Sequence, residues 1–219
     1  MDLSYTPEQD AFRIQVRSWL QSNVPNPPLP SAGTKDGFAL HREWERKLAA
    51  SGLEPADDKI RRAIFEEEYL LARGPERVTV VGTKLMAPTL MAHGSDEQQA
   101  RWLPRIASAE DIWSQGFSEP GACSDLAGIR TKAELAGPSG SGEYVINGQK
   151  IWTSYGAFAD WVFVLARTGW VMQTASETDS MALPVKDLNE GGISYVVRAE
   201  PAASAVLDAF LTKAPLPAP

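Results

Sequence analysis

One cysteine, Cys123, and two histidines, His41 and His93, are all that 219 residues hold of those types. An internal disulfide is excluded, and a reducing, cytoplasmic setting is the expectation. A metal cluster of histidine and cysteine cannot be assembled from so few ligands. The familiar phosphate and nucleotide fingerprints are also absent. No G-x-G-x-x-G stands between a strand and a helix, and Gly82-Thr-Lys84 lacks the upstream glycine of a phosphate loop. There is no H-E-x-x-H, and no G-x-S-x-G to support a serine triad. No apolar run approaches the roughly 20 residues that a membrane-spanning helix needs. The opening MDLSYTPEQD has neither the basic start nor the apolar stretch of a signal peptide. Lysine and arginine number 21 against 28 aspartate and glutamate, a net charge of -7, so a nucleic-acid partner is not expected.

What is present describes a folded globular chain: 43% of residues are hydrophobic and 22% charged, in a length that suits one large domain or two small ones. The first half carries helical punctuation. Thr6 is an N-cap, Pro7 suits the first helical position and Gln9 completes a capping box. Phe12, Val16, Trp19 and Leu20 follow at helical spacing, and Pro25, Pro27, Pro28 and Pro30 end the helix. A second helix puts Leu40, Trp44 and Leu48 on one stripe and stops at Gly52. A third runs near Ile60, Ile64 and Tyr69 to Gly74-Pro75. A fourth covers about Val78 to His93, kinked at Pro88 and closed by Gly94. Ser95 with Gln98 caps a fifth, with Trp102, Leu103 and Ile106 on its apolar face. His41 and His93 read as a packed and a helix-end histidine. Glu66-Glu67-Glu68 reads as a solvated helix face with Glu68 half-buried.

Near residue 111 the period changes. Tyr144 to Trp152 predicts two strands around an Asn147-Gly148 hairpin turn. Trp161 to Ala166 reads as a buried strand and Gly192 to Val197 as a further one. Helices first and strands second predict an α+β fold. The expected division is a helical domain over 1–111, an antiparallel β domain over 112–200, and a poorly ordered tail over 201–219.

Two segments offer chemistry. Gln115-Gly-Phe-Ser-Glu-Pro-Gly-Ala-Cys-Ser124 is a strand entering a turn of small residues, where backbone N–H groups come close to a ligand and Ser118 and Ser124 supply hydroxyls. Asn147-Gly-Gln-Lys-Ile-Trp-Thr-Ser154 ends in an indole able to lie on a planar ring. In a strand, Trp152 and Ser154 would share a face. The pair reads either as a planar-cofactor site or as a surface turn beside a barrel-core tryptophan.

These segments closely resemble the two middle-domain signatures of the acyl-CoA dehydrogenases, and Gln115-Gly-Phe-Ser118 is similar to the bacterial long-chain and dicarboxyl-type branch. Tyr5-Thr-Pro-Glu-Gln-Asp10, Phe65-Glu-Glu-Glu-Tyr69 and Thr89 to Pro104 also follow the family pattern, so the resemblance spans residues 1 to about 168. It implies a helical N-terminal domain, an antiparallel β-barrel-like middle domain, and FAD and an acyl-CoA thioester bound between them. By family position Phe117 and Ser118 meet the flavin ring, with Gln115 at a further flavin-lining position. Ser124 sits by the FAD pyrophosphate and the entering CoA ester. Trp152 packs on the flavin face opposite the substrate, and Ser154 reaches the reactive flavin nitrogen. The resemblance also implies α,β-desaturation, an electron-transfer flavoprotein or similar acceptor, and a homo- or hetero-oligomer.

Three departures stand out. Cys123 replaces a glycine of the Pro-Gly-Ala-Gly-Ser pattern. Leu53 to Asp58 takes the place of a longer connection between the second and third helices. The family's C-terminal helical bundle, with the carboxylate that removes the α-proton, has no counterpart, and none of Glu177, Asp179, Asp187, Glu190 or Glu200 stands in a matching context. The expectation is therefore a truncated enzyme, weakly active or inactive alone, or else a non-catalytic flavin- and acyl-CoA-binding remnant that pairs with a complete paralogue.

Overall fold

The computed structural model describes residues 4–55, 58–122, 128–135, 144–167 and 178–184. The chain packs as two compact units, Met1–Val78 and Thr79–Pro219.

The first unit holds three helices: α1 Pro7–Asn23, α2 Lys35–Ser51 and α3 Lys59–Leu71. The capping box at Thr6 forms as the sequence predicts. The Thr6 hydroxyl accepts from the Gln9 amide at 3.3 Å, and the Gln9 side chain accepts from the Thr6 amide at 2.9 Å. Gly52 ends α2 at φ 65°, in the left-handed region that glycine enters without penalty. Asp58, beside the shortened connection, caps α3 by accepting from the amides of Ile60 and Arg61. Leu53 and Glu54 anchor that connection from its other end: Leu53 is buried in the core, and Glu54 pairs with Arg77 at 2.6 Å.

Val16, Leu20, Trp44, Leu48, Leu53, Phe65 and Tyr69 form one buried cluster. Leu40 and Ile60, on the predicted stripes, are instead exposed. His41 is a packed residue, its two ring nitrogens 2.8 and 3.0 Å from the carbonyls of Glu76 and Pro30. Glu68 differs from its expected half-burial: it is only 2% exposed. A buried carboxylate needs paired donors, and Arg13 and Arg17 reach it from α1.

The second unit begins with a continuous helical stretch. The kink expected at Pro88 is realised as a five-residue π-helical segment, Gly82–Met86, running into α4 Ala87–His93. The Ala87 amide reaches back five residues to the Gly82 carbonyl. Proline has no N–H for an i→i−4 bond, and a wider turn before it avoids the clash of its ring. Helix α5, Asp96–Ala107, opens on the Ser95–Gln98 capping box. Trp102 and Ile106 of α5 join Val81, Met86, Leu90, Trp113 and Phe163 in a second buried cluster. The helices after residue 79 thus bury their apolar faces on the strands of their own unit.

Those strands are β1 Trp113–Gly116, β2 Lys132–Leu135, β3 Tyr144–Asn147, β4 Trp161–Arg167 and β5 Thr178–Pro184. The α+β reading holds, but the antiparallel barrel is corrected to a mixed sheet. β1 runs parallel to β4, β2 parallel to β4 at its end, and β2–β3 and β4–β5 are antiparallel. Parallel neighbours demand a long crossover, and residues 117–160 supply it. The Asn147-Gly148 hairpin is also corrected. Asn147 pairs with Lys132, so the strand ending there folds back on β2, and residues 148–152 form no strand. Gly148 serves close approach instead: a Cβ there would collide with Thr131. The strand expected at Gly192 to Val197 and the tail lie outside the described residues. No described helix is long and apolar enough to cross a membrane.

Candidate functional site

The two signature segments lie against each other at the end of β1. The Ile151 amide donates to the Ser118 carbonyl at 2.9 Å. The Ser114 hydroxyl, on the fully buried side of β1, donates to the Ser154 carbonyl at 2.6 Å. Lys150 donates from its ammonium to the Phe117 carbonyl at 3.0 Å and to Glu119 Oε1 at 2.9 Å. The loop after β1 is therefore tied at three consecutive residues to the stretch 150–151.

Glu119 and Lys150 carry this junction, and both are buried. Glu119 accepts from the amides of Arg130 at 2.7 Å and Thr131 at 2.9 Å in addition to Lys150. Burial opposes ionisation of Glu119, but the donors from Thr131, Arg130 and Lys150 outweigh it and hold its carboxyl below the usual carboxylate range. Neither residue by itself belongs to a catalytic or ligand-binding pattern in the sequence. A glutamate and a lysine inside otherwise small or apolar segments were the signal that a buried pair closes the loop.

The nominated residues take distinct places. Gln115 sits in β1 opposite Phe163 of β4 and is half-buried. The Phe117 ring stands edge-on to Phe163, 5.3 Å between centroids, against the buried cluster. Ser118 is half-buried and Ser154 exposed. Ser124 and Cys123 lie outside the described residues. Trp152 is 78% exposed, which sets aside the barrel-core alternative for it. Trp152 and Ser154 do not share a strand face as expected. They belong to a run of tight turns in which the Ser154 amide donates to the Trp152 carbonyl at 3.1 Å and the Gly156 amide to the Thr153 carbonyl at 3.0 Å.

Trp152 and Tyr155 both have φ 58°. A bulky residue in the left-handed region costs on the order of 1–3 kcal/mol and persists where its surroundings impose it. Here the Ser114–Ser154 and Ser118–Ile151 bonds clamp the segment from both sides. The result is a large indole held outward at the rim of a hydroxyl-bearing loop.

The model of the acyl-CoA dehydrogenase N-terminal domain matches residues 6–110, and that of the middle domain matches residues 114–207. Acyl-CoA dehydrogenase IpdE1 of Mycobacterium tuberculosis is 42% identical over 175 residues, 73% of this chain and 44% of that protein. The chain spans about half the length of the curated relatives it matches, 44–51% of the first three. Among solved structures, the ChsE4-ChsE5 complex from Mycobacterium tuberculosis is 29% identical, with a TM-score of 0.71 over 93% of this chain and 57% of that chain. Glutaryl-CoA dehydrogenase from Mycobacterium smegmatis in complex with FADH2 shares the fold, with a TM-score of 0.60 and 19% identity over 95% of this chain and 59% of that one. With both domain models matched in order along its length, this chain belongs to the acyl-CoA dehydrogenase family.

Proposed function

We propose that the chain holds FAD and an acyl-CoA thioester as part of an α,β-desaturating acyl-CoA dehydrogenase. The observation that carries this reading is the joined loop pair, with Ser118 bonded to Ile151 and the Trp152 indole exposed beside it. The residues present fit a flavin. An uncovered indole offers a platform for a planar ring, and Ser118 and Ser154 offer hydroxyls to its polar edge. Phe117, Ser118, Gln115, Trp152 and Ser154 are the proposed flavin contacts, with Ser124 toward the pyrophosphate and the CoA ester. FAD, when bound, supplies the acceptor for the β-hydride. The chain's own residues orient the ring and exclude water from one of its faces. The family domains are proposed as 1–111 and 112–200, close to the matched spans, while by packing the helices after residue 79 belong with the strands.

Glu119 adjoins the loop but is committed to three donors, so it is a structural anion and not the base that takes the α-proton. The polypeptide of residues 1–219 is accordingly proposed to bind ligand while turning over slowly by itself. A complementary reading, in which it works paired with a second chain, draws support from the two-chain ChsE4-ChsE5 relative. An electron-transfer flavoprotein or similar protein is the proposed acceptor. The test is to purify residues 1–219, add FAD, remove free flavin by gel filtration and record the spectrum. Flavin co-eluting at near one per chain supports the reading, and a colourless protein at saturating FAD overturns it. Adding an acyl-CoA and a second, C-terminal helical chain from a relative then tests turnover and pairing together.

A further inference from the structure

Among the ion pairs of the described residues, Glu119–Lys150 is sealed on both sides. Arg13, Arg17 and Arg77 clasp carboxylates within the helical unit, and in each of those pairs one side chain keeps at least 14% exposure. Glu119 and Lys150 are both nearly inaccessible, with side chains 6% and 3% exposed. A buried pair of this kind costs desolvation and is often replaceable by apolar residues without loss of stability. Its value here lies in what its remaining hydrogen bonds hold.

Lys150 divides its donors between the Glu119 carboxylate and the Phe117 carbonyl. In a trans peptide the C=O and the following N–H point in opposite directions. With the Phe117 carbonyl drawn to the buried ammonium, the Ser118 N–H is turned away from it. The next carbonyl, of Ser118, is held by the Ile151 amide. Glu119 in turn is anchored by the amides of Arg130 and Thr131. The pair therefore sets the peptide plane that presents Ser118, and through residue 151 it also fixes the base of the Trp152 turn.

We propose that Lys150, with Glu119 as its counter-ion, is a positioning residue for the flavin loop: it orients the Phe117–Ser118 peptide so that Ser118 and Trp152 are preorganised before FAD arrives. This rests on the flavin reading above. Preorganisation of this kind raises affinity by removing the ordering cost from the binding step. It acts through Phe117, Ser118 and Trp152, since Lys150 is sealed beneath the loop.

The test uses the 219-residue chain and two readouts. Lys150→Met alone strands the Glu119 charge and is expected to unfold the second unit in part. The informative variant is the double replacement Glu119→Gln with Lys150→Met, which leaves no unpaired charge. Amide hydrogen exchange of the protein without FAD is followed at Ile151, and FAD affinity is measured by fluorescence titration. The double variant is expected to keep its helical circular dichroism, lose Ile151 protection and bind FAD about tenfold more weakly. Retained Ile151 protection together with unchanged FAD affinity in a folded double variant overturns the proposal. If the unaltered chain binds no FAD, the flavin reading fails by itself. Loss of Ile151 protection in the double variant then still supports the role of Lys150 in ordering the loop, and its retention still overturns it.

Discussion

The Ser114 hydroxyl donates to the Ser154 carbonyl at 2.6 Å, joining a buried position of β1 to an exposed turn forty residues later. Removing one such bond inside a well-packed site costs about 0.5–1.5 kcal/mol, and more if the carbonyl stays dry. Ser114→Ala is therefore expected to lower the unfolding midpoint in urea modestly and to weaken FAD binding by loosening the Trp152 turn. Equal loss of stability with no change in FAD affinity would mean that the turn is held by other contacts.

Trp152 separates ligand binding from folding. Because its side chain is 78% exposed, Trp152→Ala is expected to change stability by no more than about 0.5 kcal/mol. The same change removes the proposed stacking platform, worth roughly 0.5–1.5 kcal/mol beyond simple burial, so FAD should bind several-fold to tenfold more weakly. Thermal unfolding and flavin titration on one preparation check both halves. Undiminished FAD affinity would remove Trp152 from the site.

Gly148 tests the corrected turn. As the corner of an Asn-Gly hairpin it would take a positive φ, which it does not have. Its backbone instead lies against Thr131, so Gly148→Ala is expected to destabilise by about 1–3 kcal/mol through overpacking. Denaturant melts of the variant check this, and a neutral result would mean that the approach to Thr131 is not close.

Acid should unfold the chain through two carboxylates. Hydrogen bonds from Arg17 and Arg13, against the opposing effect of burial, hold Glu68 below its ordinary 4.5, and Glu119 is likewise lowered against its own burial. A depressed folded-state value stabilises fully above the ordinary value and is lost as pH falls through the folded one. Stability should therefore be level from pH 7 to about 5 and fall progressively below about 4.5. Glu68→Gln should cost roughly 1–2 kcal/mol at pH 7, discounted because Arg17 is half-exposed, and should flatten the acid slope. A slope unchanged in that variant would place the acid-labile group elsewhere.

Local signals are largely legible along the chain, with Leu40 and Ile60 as exceptions on the apolar stripes. The capping boxes at Thr6 and Ser95, the stop at Gly52 and the buried run Trp161–Ala166 depend on neighbouring residues, and each appears where composition and spacing put it. The two signature segments were legible as well, because their turn residues and indole are contiguous. Partnering across distance was not. An Asn-Gly step is compatible with a hairpin, but whether it makes one depends on which strand pairs with β3, and the preceding strand β2 takes that place instead of the stretch that follows. The parallel pairing of β1 with β4 was hidden for the same reason, since a strand's own pattern does not name its neighbour. Burial of Glu68, Glu119 and Lys150 follows from partners 11 to 55 residues away. Sequence by itself determined the helices, their ends and the family. Only the tertiary structure decided which charges go inside and which turn holds Trp152 outward, because a buried ion needs its donors assembled around it and a strained φ needs clamps on both sides.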